Sequence, residues 1–517
     1  MLALSAVPVF STVLPPLLDY PNHLARMHLL AEGGDAFYSV HWAALPNLAE
    51  DLLVPPLARV MPLDIAAKLF LVMIFALMAG GVVWLNRVAT GLWRIWPLLG
   101  FLLLYNRILL WGFLNYLFGI GVALVGTALW LALEGRVWWL RLASSSLVAL
   151  ACFFSHIAAF GVYALVILGV EALPAVAELR AREWPALGRR IAIAVPQFVA
   201  PTALWLGERD GVPAGTLSYA GLSRKADILF SVFDNYHRAF DIVCFALFLG
   251  LIGWLLWTRR LGLSPRLAAA AGIVFATYLL LPSQIYGGSG ADHRLPVAFF
   301  LLFVAASAPR FPSPRTAAAV GMITMSVLVA RLAVIEHTWR AADRVYSADL
   351  AGIDALPRGS KLAIAHPADL FHVAPVPEVH LPALAIPRRG VFVPSLFAIA
   401  GQQPVALKPG FAALAAATQP QRLWALLMSG QAADREPLPA PLEHYDFLAF
   451  TDKRPIRVPL NRCLVPRFAQ PTFQIFTVVH DLGCDRPTGW PLAVHDRRQS
   501  GPQERISCHR WSVACAG

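Results

Sequence analysis

The chain has 517 residues, of which 58% are hydrophobic and 14% are charged, and its mean hydropathy is +0.60. This composition excludes an ordinary soluble protein and indicates a multi-pass membrane protein, because several apolar runs are long enough to cross a bilayer. The formal net charge is +11. Its arginines are dispersed between apolar segments and form no basic run with interleaved aromatics, so nucleic acid is not predicted as a partner.

The first apolar segment, MLALSAVPVFSTVLP, lacks the basic stretch and small-residue cleavage site of a secretory signal and is predicted to be a short first spanning helix. A bilayer core needs about 20 apolar residues in a helix, and later runs of this kind predict further spans. These are residues 65–86, 95–111, 113–133, 143–156, 158–172, 191–206, 240–258, 267–282, 295–308 and 316–335. The predicted fold is a polytopic α-helical membrane protein with about 11 transmembrane helices.

The direction of these spans follows from the arginines, since cytoplasmic loops collect Lys and Arg. The runs 95–133 and 143–172 could each be one long tilted helix. When each is divided in two and the N-terminus is placed inside, arginines fall in every second loop, from Arg87 and Arg94 to Arg310 and Arg315. The outward face then receives residues 16–64, the turns near Asn115 and His156, residues 207–239, residues 283–294 and everything after about 336.

Residues 1–335 are therefore predicted to form a transmembrane domain whose long first outward loop, residues 16–64, has room for one or two interfacial helices. Residues 336–517 are predicted to form an extracytoplasmic soluble domain of mixed α/β type. Its segments SKLAIAHP, GVFVPSLFAI, YDFLAF and FQIFTVV are typical of strands, and RLWALLMS is typical of a helix. Four cysteines here favour an oxidising compartment, with their pairing open: Cys463, Cys484, Cys508 and Cys515.

The stretch LLDYPNHLARMHLL at residues 17–30 carries the first cluster of ionisable side chains. A helix that begins at Pro21 would place His23 and Arg26 on one face, with Asp19 just before its N-terminus. In one interpretation Asp19 only caps this helix, and the other polar groups are solvated at the bilayer surface. In the other, Asp19 acts as a base while the neighbouring cations hold a phosphate.

Two further outward loops carry the same types of residue. The segment FDNYHRAFD contains His237 and Arg238, and GADHRLP contains Asp292, His293 and Arg294 at the mouth of the next helix. An interfacial helix with ordinary ion pairs one turn apart is the alternative explanation of the first of these segments. Because all three clusters fall in outward loops, they are predicted to meet above one leaflet and to form a binding site.

Other candidate side chains are less specific. His156 in CFFSHIAAF is an ionisable group within an apolar run, where such groups are often functional, although a turn between two helices would also explain it. The aromatic residues between Trp111 and Phe118 are predicted to pack and to anchor the interface. In the C-terminal domain, His366, His372 and His380 have no compact ligand spacing, so no metal site is predicted there.

The segments LDYPNHLAR, WGFLNYLFGIGVAL and GADHRLP, together with the predicted architecture, resemble the GT-C superfamily of integral-membrane glycosyltransferases. The resemblance implies a GT-C-like fold in a bacterial inner (cytoplasmic) membrane, with the C-terminal domain extracytoplasmic. It also implies inverting transfer of a sugar from a polyprenyl-phosphate carrier to a lipid, glycan or protein acceptor on the outer face.

By this resemblance Asp19 corresponds to the acid of the first loop and would serve as the general base. Arg294 corresponds to the basic residue that contacts the carrier phosphate, with His293 and Asp292 in support. Many members of the superfamily carry two adjacent acids, or acid-x-acid, and use a divalent metal. Here Asp19 is followed by Tyr20 and Pro21, so no cofactor is expected. The alternative of a divalent metal stays open, with Asp35 as the candidate second carboxylate.

Three other functions remain open at this stage. A transporter or flippase of a lipid-linked sugar would need charged residues and broken helices near mid-membrane, whereas here the ionisable residues gather at one face. A ligase that joins a preassembled glycan to a lipid would share the basic site for the carrier phosphate. A non-catalytic scaffold of an envelope polymer machine would not need Asp19.

Overall fold

In the computed structural model, the described residues are 1–207, 217–285, 288–368, 377–398, 401–428, 440–459, 461 and 463–480. His372, Cys484, Cys508 and Cys515 lie outside this part of the chain. The helices are α1 (Leu2–Ser11), α2 (Tyr20–Glu32), α3 (Ala49–Ala58), α4 (Leu63–Thr90), α5 (Arg107–Trp111), α6 (Leu114–Ala132), α7 (Trp138–Ser155), α8 (Ile157–Arg180), α9 (Trp184–Ala194), α10 (Val199–Gly207), α11 (Leu222–Phe230), α12 (Arg238–Trp257), α13 (Pro265–Leu280), α14 (Leu295–Ala306), α15 (Pro314–Asp354), α16 (Ala385–Arg389), α17 (Pro409–Ala417) and α18 (Pro420–Met428). The strands are β1 (Tyr38–Val40), β2 (Leu261–Leu263), β3 (Gln284–Ile285), β4 (Gly288–Ser289), β5 (Ser307–Pro309), β6 (Leu362–Ala365), β7 (Val405–Leu407), β8 (Phe447–Thr451), β9 (Leu464–Ala469) and β10 (Phe473–Val478). Short 3-10 helices occur at Trp96–Leu103, Pro196–Phe198, Asp292–Arg294, Pro377–Val379, Leu381–Leu384 and Ala440–His444.

Within the described residues, 7 helical segments are long and apolar enough to cross a membrane: α4, α6, α7, α8, the stretch α9–α10, α12 and α15. The chain is therefore a mostly helical, multi-pass membrane protein. Helix length and composition alone therefore do not confirm the predicted total of about 11 spans. The predicted spans at 1–15, 95–111, 267–282 and 295–308 are helical, but their helices are shorter than a full crossing requires.

The division of the two long apolar runs is confirmed. Gly112 has a φ of +94°, a backbone conformation that glycine adopts far more easily than other residues, and it ends α5 before α6 begins. His156 is extended, with φ −169° and ψ 137°, and separates α7 from α8. Each run is therefore interrupted at the position where the charges predicted a turn.

Arginine-rich loops meet at one end of the helical bundle, around the buried carboxylate of Glu171 in α8. Arg141 and Arg266 donate to it at 3.1 and 3.0 Å, and Arg190 contacts it as well. Trp130 Nε1 donates a further hydrogen bond of 2.7 Å. Because these donors belong to α7, α13, α9 and α6, one carboxylate links several helices whose loops were predicted to share a face.

Residues 16–64, the first loop, fold at the other end of α4 and contain α2 and α3. Proline in the first turn of α2 and a left-handed Gly33 (φ +79°) after its last turn fix the bounds of this helix, which begins one residue before the predicted Pro21. Asp19, His23 and Arg26 are all buried. The interpretation in which these groups are solvated at the bilayer surface is therefore wrong, because other parts of the chain cover α2.

The C-terminal region contains a four-stranded sheet in the order β6-β8-β10-β9, in which β6 and β8 are parallel and the other pairs antiparallel. Strands β6, β8 and β10 and helix α18 lie where the sequence predicts them. The segment GVFVPSLFAI is an exception, since residues 390–398 form no strand and only Phe392 makes an isolated bridge, with Lys361. Cys463 is disulfide-bonded, whereas Cys152 and Cys244 are buried free thiols.

The C-terminal region packs directly on the first loop. Strand β1 of that loop pairs antiparallel with β7, so that Tyr38 lies opposite Leu407. The Tyr38 hydroxyl donates to the carbonyl of Val393 at 2.6 Å, and Lys408 Nζ donates to the carbonyl of Asp35 at 2.7 Å. The predicted domain boundary at residue 336 falls inside α15, which continues without a break to Asp354.

Candidate active site

The turn at residues 111–116, which we call the WGFLNY turn, is the point that several predicted site residues contact. Gly112 is tightly packed there: a Cβ atom added to it would lie 2.7 Å from Asp19 Cβ. The backbone N–H of Asp19 donates to the carbonyl of Trp111 at 3.3 Å. Asn115 Oδ1 accepts from the backbone N–H of Glu50 at 2.7 Å. The turn therefore contacts both the start of the first loop and helix α3.

Asp19 occupies the N-cap position of α2, but its side chain makes no capping hydrogen bond. It is only 9% exposed. Its Oδ1 lies 3.5 Å from Nε2 of His380, which belongs to the C-terminal region. Burial raises the pKa of Asp19 to about 7, against the opposing charges of His23 and Arg26. A carboxyl group with this pKa can take up or release a proton at neutral pH.

His23 is held between two oxygen acceptors. Its Nε2 donates to the carbonyl of Gly112 at 3.0 Å, and its Nδ1 lies 2.5 Å from Glu50 Oε2. Burial alone raises the pKa of Glu50, but the charge and hydrogen bond of His23 and the charge of Arg26 together lower it below its usual value. The contact between His23 and Glu50 therefore positions α2 against α3.

Arg26 is fully buried. Its Nε donates to Asp51 Oδ1 at 2.8 Å, and its Nη2 lies 3.8 Å from Glu50 Oε2. Two adjacent acids of the same loop, Glu50 and Asp51, therefore hold His23 and Arg26, and the substrate-binding roles of these two residues stay predictions.

The three residues of GADHRLP have different surroundings. Asp292 is buried and accepts from Lys225 Nζ at 2.8 Å and from the Ser283 hydroxyl at 2.6 Å, so it is held by neighbouring segments of the chain. The ring of His293 lies 5.0 Å from that of Trp111. Burial lowers the pKa of His293 to about 4, although the charge of Asp292 opposes this. His293 is therefore neutral at pH 7.

Arg294 packs against the WGFLNY turn. Its guanidinium carbon is 4.6 Å from the centre of the Phe113 ring, and its Nη1 donates to the carbonyl of Gly290 at 3.1 Å. The Tyr116 hydroxyl donates to the carbonyl of Arg294 at 2.6 Å. The side chain is half-buried. Among the predicted cationic residues, Arg294 both contacts the WGFLNY turn and keeps part of its side chain exposed to solvent.

His156 adjoins the same turn from the other side. Its ring makes an edge contact with Tyr116, with 5.7 Å between ring centres. Its Nδ1 accepts from the backbone N–H of Ala158 at 3.0 Å and so caps α8. Burial, and then the charge of Arg294, lower its pKa to about 3. The structure thus brings His156 close to Arg294 as a neutral capping residue.

His237 and Arg238 are not brought to the WGFLNY turn. His237 is exposed. Arg238 pairs with Asp227 at 2.8 Å, and its side chain is 62% exposed. These contacts agree with the alternative explanation of the segment FDNYHRAFD, in which its charged residues form ordinary ion pairs.

Two groups at the site were not among the predicted site residues. The adjacent acids Glu50 and Asp51 in an otherwise apolar loop were a usable signal, because a buried acid pair needs cationic partners. His380 gave no such signal, since its approach to Asp19 depends on the docking of a region far along the chain. Phe397 lies beside both histidines, with ring centres 5.2 Å from His380 and 6.4 Å from His23.

Comparisons with known proteins add one structural likeness. No protein-family model and no curated protein matches the sequence. The crystal structure of ArnT from Cupriavidus metallidurans bound to undecaprenyl phosphate is similar, with a TM-score of 0.48 and 12% sequence identity over 94% of this chain and 98% of that chain. A likeness of this degree does not establish membership of a family.

Proposed function

We propose that this protein is an inverting membrane glycosyltransferase that moves a sugar from a polyprenyl-phosphate carrier to a lipid or glycan acceptor. One observation carries the proposal: Asp19, a buried carboxyl group with a pKa raised to about 7, contacts the same WGFLNY turn as Arg294. A carboxyl group with a shifted pKa and a cation at the same end of a helical bundle are typical of a catalytic site.

Asp19 would act as the general base. In inverting transfer, the acceptor hydroxyl oxygen bonds to the anomeric carbon as the bond from that carbon to the carrier phosphate breaks. The hydroxyl proton passes to Asp19, and the electron pair of the broken bond leaves with the phosphate. One carboxylate is enough for this reaction, unlike the paired carboxylates of a retaining hydrolase.

Arg294 would stabilise the leaving phosphate. A guanidinium binds two phosphate oxygens at once and compensates the charge that develops as the bond breaks. His293 is neutral, so it would donate a hydrogen bond to the phosphate without adding positive charge. No metal is needed in this scheme, because the carrier phosphate is already a good leaving group.

His380 would be a positioning residue for Asp19. Burial, and then the charges of His366 and His23, lower the pKa of His380 to about 3, so it is neutral at pH 7. A neutral imidazole 3.5 Å from Asp19 can hold the carboxyl group in one orientation without fixing its charge. By this proposal the C-terminal region lies on the outer face of a bacterial inner membrane and covers the site.

Purified protein in lipid nanodiscs, supplied with a panel of polyprenyl-phosphate sugars and lipid acceptors, tests the proposal. Asp19→Asn should lower the transfer rate by about 100-fold or more, as expected for the loss of a general base. Arg294→Gln should lower it similarly, and Arg294→Lys should restore part of the rate. Matched controls are Asp64→Asn and Arg59→Gln, which change exposed residues of the first loop and should leave the rate unchanged.

The choice of donor is tested in the same assay. We expect no transfer from sugars on nucleotide carriers, since the proposal assigns the leaving group to a lipid phosphate. An unchanged rate in the Asp19→Asn variant would show that another group is the base, and the proposed mechanism would be abandoned.

A further inference from the structure

A cavity of about 260 Å³ lies at the arginine-rich end of the molecule, far from Asp19. Helix α4 connects the two regions: it begins just after the first loop, and the segment that follows it forms one wall of the cavity. The other walls are Met1, the segment around Phe311 and the first turns of α15. None of the proposed catalytic residues contributes to this cavity.

The walls of the cavity are mainly apolar, and the surface around its mouth is apolar as well. Ile95 is 75% exposed, and Met322 and Ile323 of α15 are also exposed. In a membrane protein such side chains face the lipid chains. Trp93 beside them is exposed and lies 5.7 Å from the guanidinium of Arg87, as expected for a tryptophan near the membrane interface. The cavity is therefore placed where an acyl chain could enter from the side.

One wall carries donors that have no acceptor among the described residues. Arg94 makes no ion pair and no hydrogen bond there, and its Nε is buried. Trp96 is 6% exposed, and its buried indole N–H likewise has no acceptor in the described part of the chain. Buried N–H groups without partners cost free energy, so both would gain from an oxygen-rich ligand.

The charge around the cavity has one sign. The segments 87–99 and 307–325 contain four arginines and no Asp or Glu: Arg87, Arg94, Arg310 and Arg315. At the same end of the molecule, the arginines around Glu171 are ion-paired. The two segments that line the cavity therefore carry positive charge only.

We propose that this cavity binds an anionic phospholipid, with an acyl chain between α15 and the Trp96–Leu103 segment and the phosphate beside Arg94 and Trp96. Basic pockets between membrane helices are suited to anionic head groups. The guanidinium and the indole N–H would both donate to phosphate oxygens. A zwitterionic lipid fits less well, because no carboxylate in these segments can pair with its ammonium group.

Native mass spectrometry of the full chain in detergent tests this inference independently of any transferase activity. The protein is titrated with phosphatidylglycerol, with phosphatidylcholine of the same acyl chains, and with inorganic phosphate. Phosphatidylglycerol should bind most tightly. Arg94→Gln should weaken its binding about fivefold, because one arginine near a lipid phosphate contributes about 1 kcal/mol. Arg136→Gln, an exposed arginine at the same end, should leave the affinity unchanged.

A second variant tests the apolar part of the site. Gly321 lines the cavity, and a Cβ atom added there would meet nothing within 4 Å. Gly321→Leu should therefore fill the cavity without straining α15 and should abolish binding of phosphatidylglycerol while sparing the fold. Equal affinity for the two phospholipids, or unchanged affinity in both variants, would overturn the proposal. Competition by inorganic phosphate at the affinity of the lipid would also overturn it, since the acyl chain would then contribute nothing.

Discussion

Gly112→Ala perturbs the closest backbone approach at the candidate active site. The new Cβ atom would lie 2.7 Å from Asp19 Cβ and 3.0 Å from the Asp19 nitrogen, so the first loop must move away from the WGFLNY turn. Overpacking of this kind typically costs about 1–3 kcal/mol. A positive φ in a residue with a side chain adds about 1–2 kcal/mol, so the total loss of stability is about 2–5 kcal/mol.

Gly91→Ala is the matched control. Gly91 also has a positive φ, of +75°, but an added Cβ atom there would meet nothing within 4 Å. Both substitutions share the backbone strain, and only the change at Gly112 displaces Asp19. Thermal unfolding in detergent should therefore show a free-energy difference between the variants of about 1–3 kcal/mol.

The displacement of Asp19 can also be measured chemically. Dicyclohexylcarbodiimide modifies protonated carboxyl groups in apolar surroundings, and peptide mass spectrometry locates the modified residue. Labelling of Asp19 should have its midpoint near pH 7 in the unaltered protein and should shift to lower pH in Gly112→Ala, since the displaced carboxyl group would be better solvated. If Gly112→Ala and Gly91→Ala have the same stability and the same labelling profile, the close packing of Gly112 on Asp19 does not hold.

Three other predictions follow from buried groups. Glu171→Ala should lower the unfolding free energy by about 3–5 kcal/mol, measured by thermal unfolding, because three arginines and Trp130 lose a shared buried partner. The pKa of Asp19 is about 7 in the folded chain and 3.8 ordinarily, so its protonated form contributes stability at low pH that is lost as pH rises from about 4 to about 7. That contribution is about 4 kcal/mol, and stability curves measured against pH should be flatter over this window in Asp19→Asn. His380→Gln should shift the pH profile of Asp19 labelling, whereas His444→Gln, at an exposed position, should not, and an unchanged profile in both would remove the positioning role of His380.

Hydropathy and charge in the sequence determined which segments are helical and which loops share a face. The division at Gly112 and His156 followed from residues near one another in the chain, because a membrane requires long apolar helices and sorts arginines to one side. The same information placed Asp19 and Arg294 at the same end of the bundle. It also identified strands β6, β8 and β10 by their short apolar runs.

The tertiary structure decided how far each of these groups is buried and what it contacts. Arg26 and Arg294 look alike in the sequence, but Arg26 is enclosed by Asp51 and Glu50, while Arg294 is half-buried on the WGFLNY turn. The approach of His380 to Asp19 depends on the pairing of β1 with β7, which joins segments far apart in the chain. Burial and long-range contact, rather than residue type, set the proton affinity of Asp19, and neither is encoded in any short stretch of the sequence.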